Sequence, residues 1–330
     1  MLKFFKQSYI AQLVVIVLLI AALWAPVFIT QSYDVVEEYP TTPLYNILTN
    51  IMGFSNIAMT ILMMILFISS VLFFNAMLSV NQLVIRNSSI GAFVVVLCMC
   101  CAPIHNEYYP FLIAMLFIMM TMQIIFLIYD IEKPELYLLN AGLFVSLASM
   151  FYFPSILLVI WLLISMMILG FREFRLYLIP IVNFIIPYII LAAIFYCLGT
   201  FKENFEAYAN AFTSLNPMKL NISMMEILGL LIIGALSVLS VMKIKSQEAD
   251  NLVSTRKKVS VTILLFFFGF VMLFTHRPVM SNGLLFLVAA VLISMALCYV
   301  KKTKLIDIVI IVMMLAVIAN QYLPLFGINI

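Results

Sequence analysis

Charged side chains are scarce in this sequence: Asp, Glu, Lys and Arg make up 9% of the 330 residues. A typical soluble domain carries about 25%. Histidine occurs only twice, which is too few for a haem or iron site built on several imidazoles. The net charge of +3 excludes the large basic surface that nucleic-acid binding needs. Because 66% of the residues are hydrophobic, a water-soluble fold could not bury them all, and we expect lipid as the solvent.

Apolar runs recur along the whole sequence, and they lack the polar–apolar alternation of barrel strands. Since a membrane span needs about 20 apolar residues, these runs predict an all-α, polytopic transmembrane helical bundle. About eleven helices are predicted, with the shorter ones tilted or re-entrant. Their predicted ranges are 10–30, 56–79, 89–104, 109–128, 137–153, 155–170, 176–198, 223–242, 259–275, 280–300 and 305–323.

The basic residues predict the orientation, because Lys and Arg are enriched in cytoplasmic loops. With a cytoplasmic N-terminus and an odd number of crossings, all of them except Lys202, Lys219 and Arg277 face the cytoplasm. The C-terminus is then on the opposite side. We expect one transmembrane domain over residues 1–330. Its predicted outer loops are 31–55, 105–108, 199–222 and 276–279, and its predicted basic cytoplasmic loop is 243–258.

The predicted outer loops contain both histidines and several acids. A carboxylate at the boundary of water and lipid can act as a general base toward a hydroxyl, and a cationic group can bind phosphate. Solvated loop charge is the alternative interpretation. The candidate catalytic acids are Asp34, Glu37, Glu38 and Glu107. The candidate groups for a lipid phosphate are His105, His276, Arg277 and Lys202.

No cofactor motif is expected from the sequence, and no metal site is assigned. Glu37, Glu38 and Glu107 nevertheless offer the oxygen ligands that a divalent cation prefers. The cysteines, three of which cluster at residues 98–101, are expected to be free thiols within apolar helices. Ion-coupled transport is disfavoured, because the predicted spans hold no ionisable residue in mid-membrane.

Two polar segments outside the long apolar runs are also informative. In the predicted outer loop 199–222, Phe201, Phe205, Tyr208 and Phe212 recur at helical spacing, which predicts an amphipathic helix lying at the membrane interface. On the cytoplasmic side, the turn Arg172–Arg175 is a topology anchor or a docking point for a cytoplasmic or membrane partner.

Residues 147–199 carry Phe153-Pro154, Arg172-Glu173 and Ile186-Pro187-Tyr188. This stretch resembles a family of multipass inner-membrane proteins of Bacteroidota that has no assigned activity. The resemblance implies a bacterial inner-membrane location. Together with the orientation predicted from the basic residues, this gives a cytoplasmic N-terminus and a periplasmic C-terminus.

An acidic outer loop follows the first helix, and a further acid lies between the third and fourth predicted helices. This arrangement is similar to the GT-C class of membrane glycosyltransferases, which use a polyprenyl-linked sugar donor. The resemblance implies that Asp34 is the base, with Glu37 or Glu38 as alternatives. It also implies that Glu107 is a second acid and that Arg277 is the phosphate ligand.

We therefore expect a GT-C-like transferase that uses a polyprenyl-phosphate sugar at the outer face of the inner membrane. The alternative is a non-catalytic protein that handles lipids, as a scramblase does, or that assembles an envelope complex. Membrane lipids are partners in both cases, and nucleic acid is a partner in neither.

Overall fold

The structure is a computed structural model that describes most of the chain. The described residues are 4–5, 9–30, 42–52, 56–86, 88–101, 109–213, 224–247, 252–275, 278–300 and 304–322. They contain thirteen α-helices and two 3-10 turns, and no strand. The α-helices are α1 (Tyr9–Thr30), α2 (Pro43–Met52), α3 (Asn56–Val80), α4 (Ile90–Met99), α5 (Tyr109–Leu127), α6 (Glu135–Phe151), α7 (Leu158–Leu169), α8 (Phe174–Cys197), α9 (Phe201–Thr213), α10 (Met224–Lys245), α11 (Val253–Thr275), α12 (Pro278–Cys298) and α13 (Lys304–Tyr322).

The all-helical prediction is confirmed for the described residues, and each predicted range overlaps one of these helices. The break proposed near Pro154 is present, because a 3-10 turn over Phe153–Leu157 separates α6 from α7. The amphipathic segment in 199–222 forms α9. One helix was not predicted, since α2 lies inside the expected outer loop 31–55. The number of membrane crossings and the GT-C-like topology stay predictions.

Within the described ranges, four helices are long and apolar enough to cross a membrane: α1, α3, α5 and α8. Large apolar side chains on α8, such as Val182, Ile189 and Ile194, are exposed. Water would penalise such a surface, whereas lipid would not. The described residues are therefore those expected of a membrane protein.

The centre of the bundle is formed by α4 and α12, which are buried on all sides. Every residue of α4 is buried, and so is every residue of α12 from Gly283 to Leu297. α12 packs against α4, α10 and α11, while α6 packs most extensively against α5 and α8. By contrast, only 11% of the apolar span of α8 is buried, so that α8 lies at the periphery.

Contacts between helices define two ends of the bundle. At one end, Tyr109 contacts Trp24 and Thr60, and we call it the Tyr109 end. At the other, Lys258 contacts Asn81, and we call it the Lys258 end. The predicted outer loops follow or precede helix termini at the Tyr109 end. Every described basic residue except Lys202 belongs to a helix terminus or turn at the Lys258 end. The orientation of this end relative to the cytoplasm stays a prediction.

A polar cluster joins three helices at the Lys258 end. The Asn81 amide donates to the Gln123 Oε1 atom at 2.7 Å and to the Met77 carbonyl at 2.8 Å. Lys258 Nζ donates to Asn81 Oδ1 at 3.4 Å, and Lys258 is only 8% exposed. α11 begins at Val253, so the last residues of the predicted loop 243–258 are helical. Lysine can be packed in this way because its long apolar stem is buried readily.

Gly170 ends α7 at the same end of the bundle. Its φ of +98° suits glycine, and its N–H donates to the carbonyls of Met166 and Met167 at 3.1 and 3.0 Å. The neighbouring Leu169 carbonyl accepts a 2.7 Å hydrogen bond from Lys257 Nζ. The Lys257 ammonium also lies 4.6 Å from the centre of the Tyr129 ring, a cation–π contact. The basic start of α11 is thus bound to the ends of α5 and α7.

Candidate functional site at the Tyr109 end

Most of the predicted site residues lie in segments outside the described residues. These residues are Asp34, Glu37, Glu38, His105, Glu107, His276 and Arg277. Lys202 is described, and it is an exposed residue in the first turn of α9. The helix ends on either side of these segments are described, and they show where each segment starts and stops.

Tyr109 is the first described residue after the segment that contains His105 and Glu107. Its ring stacks on that of Trp24 in α1, with the centroids 6.5 Å apart and the planes within 6°. The hydroxyl groups of Tyr109 and Thr60 are hydrogen-bonded at 3.0 Å. The termini of α1, α3 and α5 are therefore held together in one buried junction.

Thr42 is the first described residue after the segment that contains Asp34, Glu37 and Glu38. Its hydroxyl donates to the Phe151 carbonyl at the end of α6, at 3.0 Å. One turn later, Tyr45 is buried and interacts electrostatically with Tyr109. Both acid-bearing segments therefore end at neighbouring tyrosines, Tyr45 and Tyr109.

The Tyr45 hydroxyl is a neutral hydrogen-bond donor at ordinary pH. Burial raises the pKa of Tyr45 to about 12, and the nearby Tyr109 adds to the rise. A phenol with so high a pKa keeps its proton and can donate to an anionic oxygen.

The segment that contains His276 and Arg277 leads into α12, which also reaches this junction. A Cβ atom on Gly283 would lie 2.4 Å from Phe111 Cε1, so the Phe111 ring packs directly on the glycine backbone. The Phe111 ring also meets Tyr152 edge-on, with centroids 5.4 Å apart. Gly283 is five residues, or about 7.5 Å of helix, beyond Pro278. α5 therefore begins directly after the segment that contains His105 and Glu107, and it also packs against the helix that follows His276 and Arg277.

A second aromatic cluster connects α9, which carries Lys202, to the same end. Tyr208 in α9 lies beside Phe153 and Tyr188, with ring centroids 6.4 and 6.3 Å away. The hydroxyl groups of Tyr188 and Ser149 are hydrogen-bonded at 2.8 Å. Burial raises the pKa of Tyr208, and Tyr188 contributes to the increase. The Phe153 and Tyr188 segments, separate in the sequence resemblance, are therefore brought together by Tyr208.

At this end of the described structure, the Nε1 atom of Trp24 has no hydrogen-bond partner, and the Trp24 side chain is only 1% exposed. The buried hydroxyl of Ser155, in the turn between α6 and α7, has none either. Because buried polar groups are usually paired, both are available to a polar ligand or to an adjoining segment. The Tyr208 hydroxyl, by contrast, interacts with the backbone of Leu44 in α2.

The charged residues of the loops are evident in the sequence, but the contacts among these tyrosines are not. Tyr45, Tyr109 and Tyr152 lie near helix ends, where tyrosine is common at membrane interfaces for reasons unrelated to a site, while Tyr188 lies within α8. Only their mutual contacts distinguish them.

Among the residues that the structure describes, no group of three or more His, Cys, Asp or Glu side chains is placed to hold a metal ion. The candidate ligands Glu37, Glu38 and Glu107 lie outside those residues. All five cysteines are free thiols, as expected.

Comparison with known proteins yields no match to a family model, to a curated protein or to a solved structure. A functional interpretation must therefore come from the residues of this chain.

Proposed function

We propose that the chain is a GT-C-like membrane glycosyltransferase that transfers a sugar from a polyprenyl-phosphate donor at the outer face of the bacterial inner membrane. The junction of Trp24, Tyr45, Thr60 and Tyr109 carries the proposal. The proposal is supported by the residues that follow the two acid-bearing segments, because Tyr109 packs on Trp24 and Thr60 and also raises the pKa of Tyr45.

In this proposal, Asp34 removes the proton from the acceptor hydroxyl as that oxygen attacks the anomeric carbon of the donor. The bond from that carbon to the phosphate oxygen breaks, and Arg277 stabilises the departing polyprenyl phosphate. Glu37 and Glu38 are alternative bases, and Glu107 is a second acid. His105, His276 and Lys202 supply further contacts to the phosphate.

The test uses a deletion strain and profiles its lipid-linked oligosaccharides and its glycoproteins. We expect the deletion to accumulate the lipid-linked donor, and wild-type protein to restore transfer. Asp34→Asn should lower transfer by about 100-fold or more, the usual effect of losing a general base, at an unchanged protein level. Glu132→Gln is the matched control, because Glu132 is an exposed acid at the Lys258 end. Normal transfer by Asp34→Asn would rule out the proposed base.

A second experiment tests whether the acid-bearing segments meet. Cysteines replace Glu38 and Glu107 in a variant without the exposed Cys197, and a short thiol-specific cross-linker is added. Cross-linking within one chain is expected for this pair but not for Glu38→Cys with Glu132→Cys. Equal yields for both pairs would remove the geometric basis of the proposal.

The second candidate is a non-catalytic protein that moves lipids or assembles an envelope complex. It is favoured by a groove of about 570 Å³ between α6 and α8, whose walls include Leu139, Leu178 and Val182. Glu135 and Arg175 lie at its Lys258 end, where the Arg172–Arg175 turn would meet a partner. Purified protein in liposomes should then move a fluorescent lipid between leaflets, and Asp34→Asn should leave this movement unchanged. The enzyme hypothesis predicts no lipid movement in liposomes and a loss of glycan transfer in the Asp34→Asn strain.

A further inference from the structure

A narrow apolar cavity of about 280 Å³ lies among α4, α10, α12 and α13, in the half of the bundle toward the Lys258 end. Its walls include Leu97, Leu236, Ala296 and Met313, and Lys243 is the single charged residue that lines it. The volume is close to the lower limit of about 300 Å³ for small-molecule sites. The cavity thus combines an apolar interior with one cation.

The cavity opens sideways toward the exposed apolar surface. Leu239 of α10 and Val309 of α13 both line it, and they are 60% and 43% exposed. α10 and α13 share no extended contact in the described part of the chain, whereas both pack around α12 or α4. A flexible hydrocarbon chain could therefore enter between α10 and α13 from the membrane without unfolding either helix.

Lys243 lies at the end of the cavity nearest the basic loops, in the last turn of α10. From Lys243 to Leu236 the helix advances about 10 Å. This is a substantial part of one leaflet, because the whole hydrocarbon core is about 30 Å thick. The Lys243 ammonium is therefore placed to reach the lipid headgroups, while the apolar walls of the cavity lie at the depth of the acyl chains.

We propose that this cavity binds an anionic phospholipid of the surrounding bilayer. One acyl chain lies between α10 and α13, and the lipid phosphate contacts the Lys243 ammonium. A zwitterionic lipid gains the apolar contacts but has no net charge for Lys243. The inference concerns the opposite end of the bundle from the proposed transferase site and is independent of it.

The test is native mass spectrometry of the full chain in detergent micelles, titrated with phosphatidylglycerol or with phosphatidylcholine. Lys243→Gln should weaken phosphatidylglycerol binding about five-fold, the ratio expected for one lysine at an anionic headgroup. Phosphatidylcholine binding should weaken much less, because its choline ammonium offsets the charge of its phosphate. Lys245→Gln is the matched control, because Lys245 is exposed on the same helix and does not line the cavity. Equal losses for both lysine variants would indicate diffuse surface charge and overturn the proposal.

The apolar part of the site needs its own variant. Leu239→Trp should obstruct the opening and weaken binding of both lipids, and it should fold normally because Leu239 is exposed. Ala296→Leu should do the same from inside the cavity. Unchanged lipid retention by a folded Leu239→Trp protein would show that lipids bind only around the bundle.

Discussion

The contact between α6 and α8 makes a stringent test of the packing. A Cβ atom on Gly142 would lie 2.3 Å from the Pro180 carbonyl oxygen and 2.7 Å from its Cα atom. Both neighbours are backbone atoms, so neither can turn aside, and Gly142→Ala must separate the helices by about 1 Å. A gap of that size forfeits about a quarter to a half of each affected contact. We expect a loss of about 1–3 kcal/mol in the free energy of unfolding, the usual cost of overpacking.

The matched control is Gly234→Ala in α10, where a Cβ atom would meet nothing within 4 Å. This variant should be neutral or more stable by up to about 1 kcal/mol, because alanine favours helix. Reversible unfolding in mixed detergent micelles, followed by circular dichroism, measures both variants. If Gly142→Ala were as stable as wild type, or Gly234→Ala lost as much, the close approach of α6 to α8 would be refuted.

Two further predictions concern the two ends of the bundle. Asn81→Ala should lower the unfolding free energy by about 1–3 kcal/mol, because Gln123 and Lys258 each lose a hydrogen-bond partner. Asn183→Ala, which removes only a bond within α8, should cost less in the same assay. At the Tyr109 end, the pKa of Tyr45 rises from 10.0 to about 12 on folding, so the unfolded chain loses this proton first. The free energy of unfolding should therefore fall as pH rises from 10 to 12, and Tyr45→Phe should reduce that fall. An equal pH dependence in the wild-type and Tyr45→Phe proteins would contradict this assignment.

The positions of the helices were largely predictable from sequence, because apolar runs in lipid must satisfy their own backbone hydrogen bonds. α2 was missed because it is only ten residues long and amphipathic, which resembles an ordinary polar loop. The start of α11 was placed too late, because Lys257 and Lys258 were assigned to a loop on account of their charge. Their partners, Leu169 and Asn81, are 88 and 177 residues away in the chain, so no local pattern identifies them.

The candidate site was predictable only in part. The charged residues of the predicted outer loops can be read from the sequence, and the roles of Asp34, Glu107 and Arg277 stay predictions. The aromatic layer beneath those loops was not predictable, since Trp24, Tyr45 and Tyr109 come from three helices. Their arrangement depends on how those helices cross.

The sequence by itself determined that the chain is helical and apolar, and which helix termini carry the basic residues. Tertiary structure alone decided which helices are enclosed and which face outward. The spans of α5 and α8 have nearly equal mean hydropathy, 2.3 and 2.5, yet 72% of the first is buried and 11% of the second. Soluble helices reveal their buried side through an apolar stripe. A helix that is apolar on every side has no such stripe, so only contacts such as Gly142 against Pro180 fix its place in the bundle.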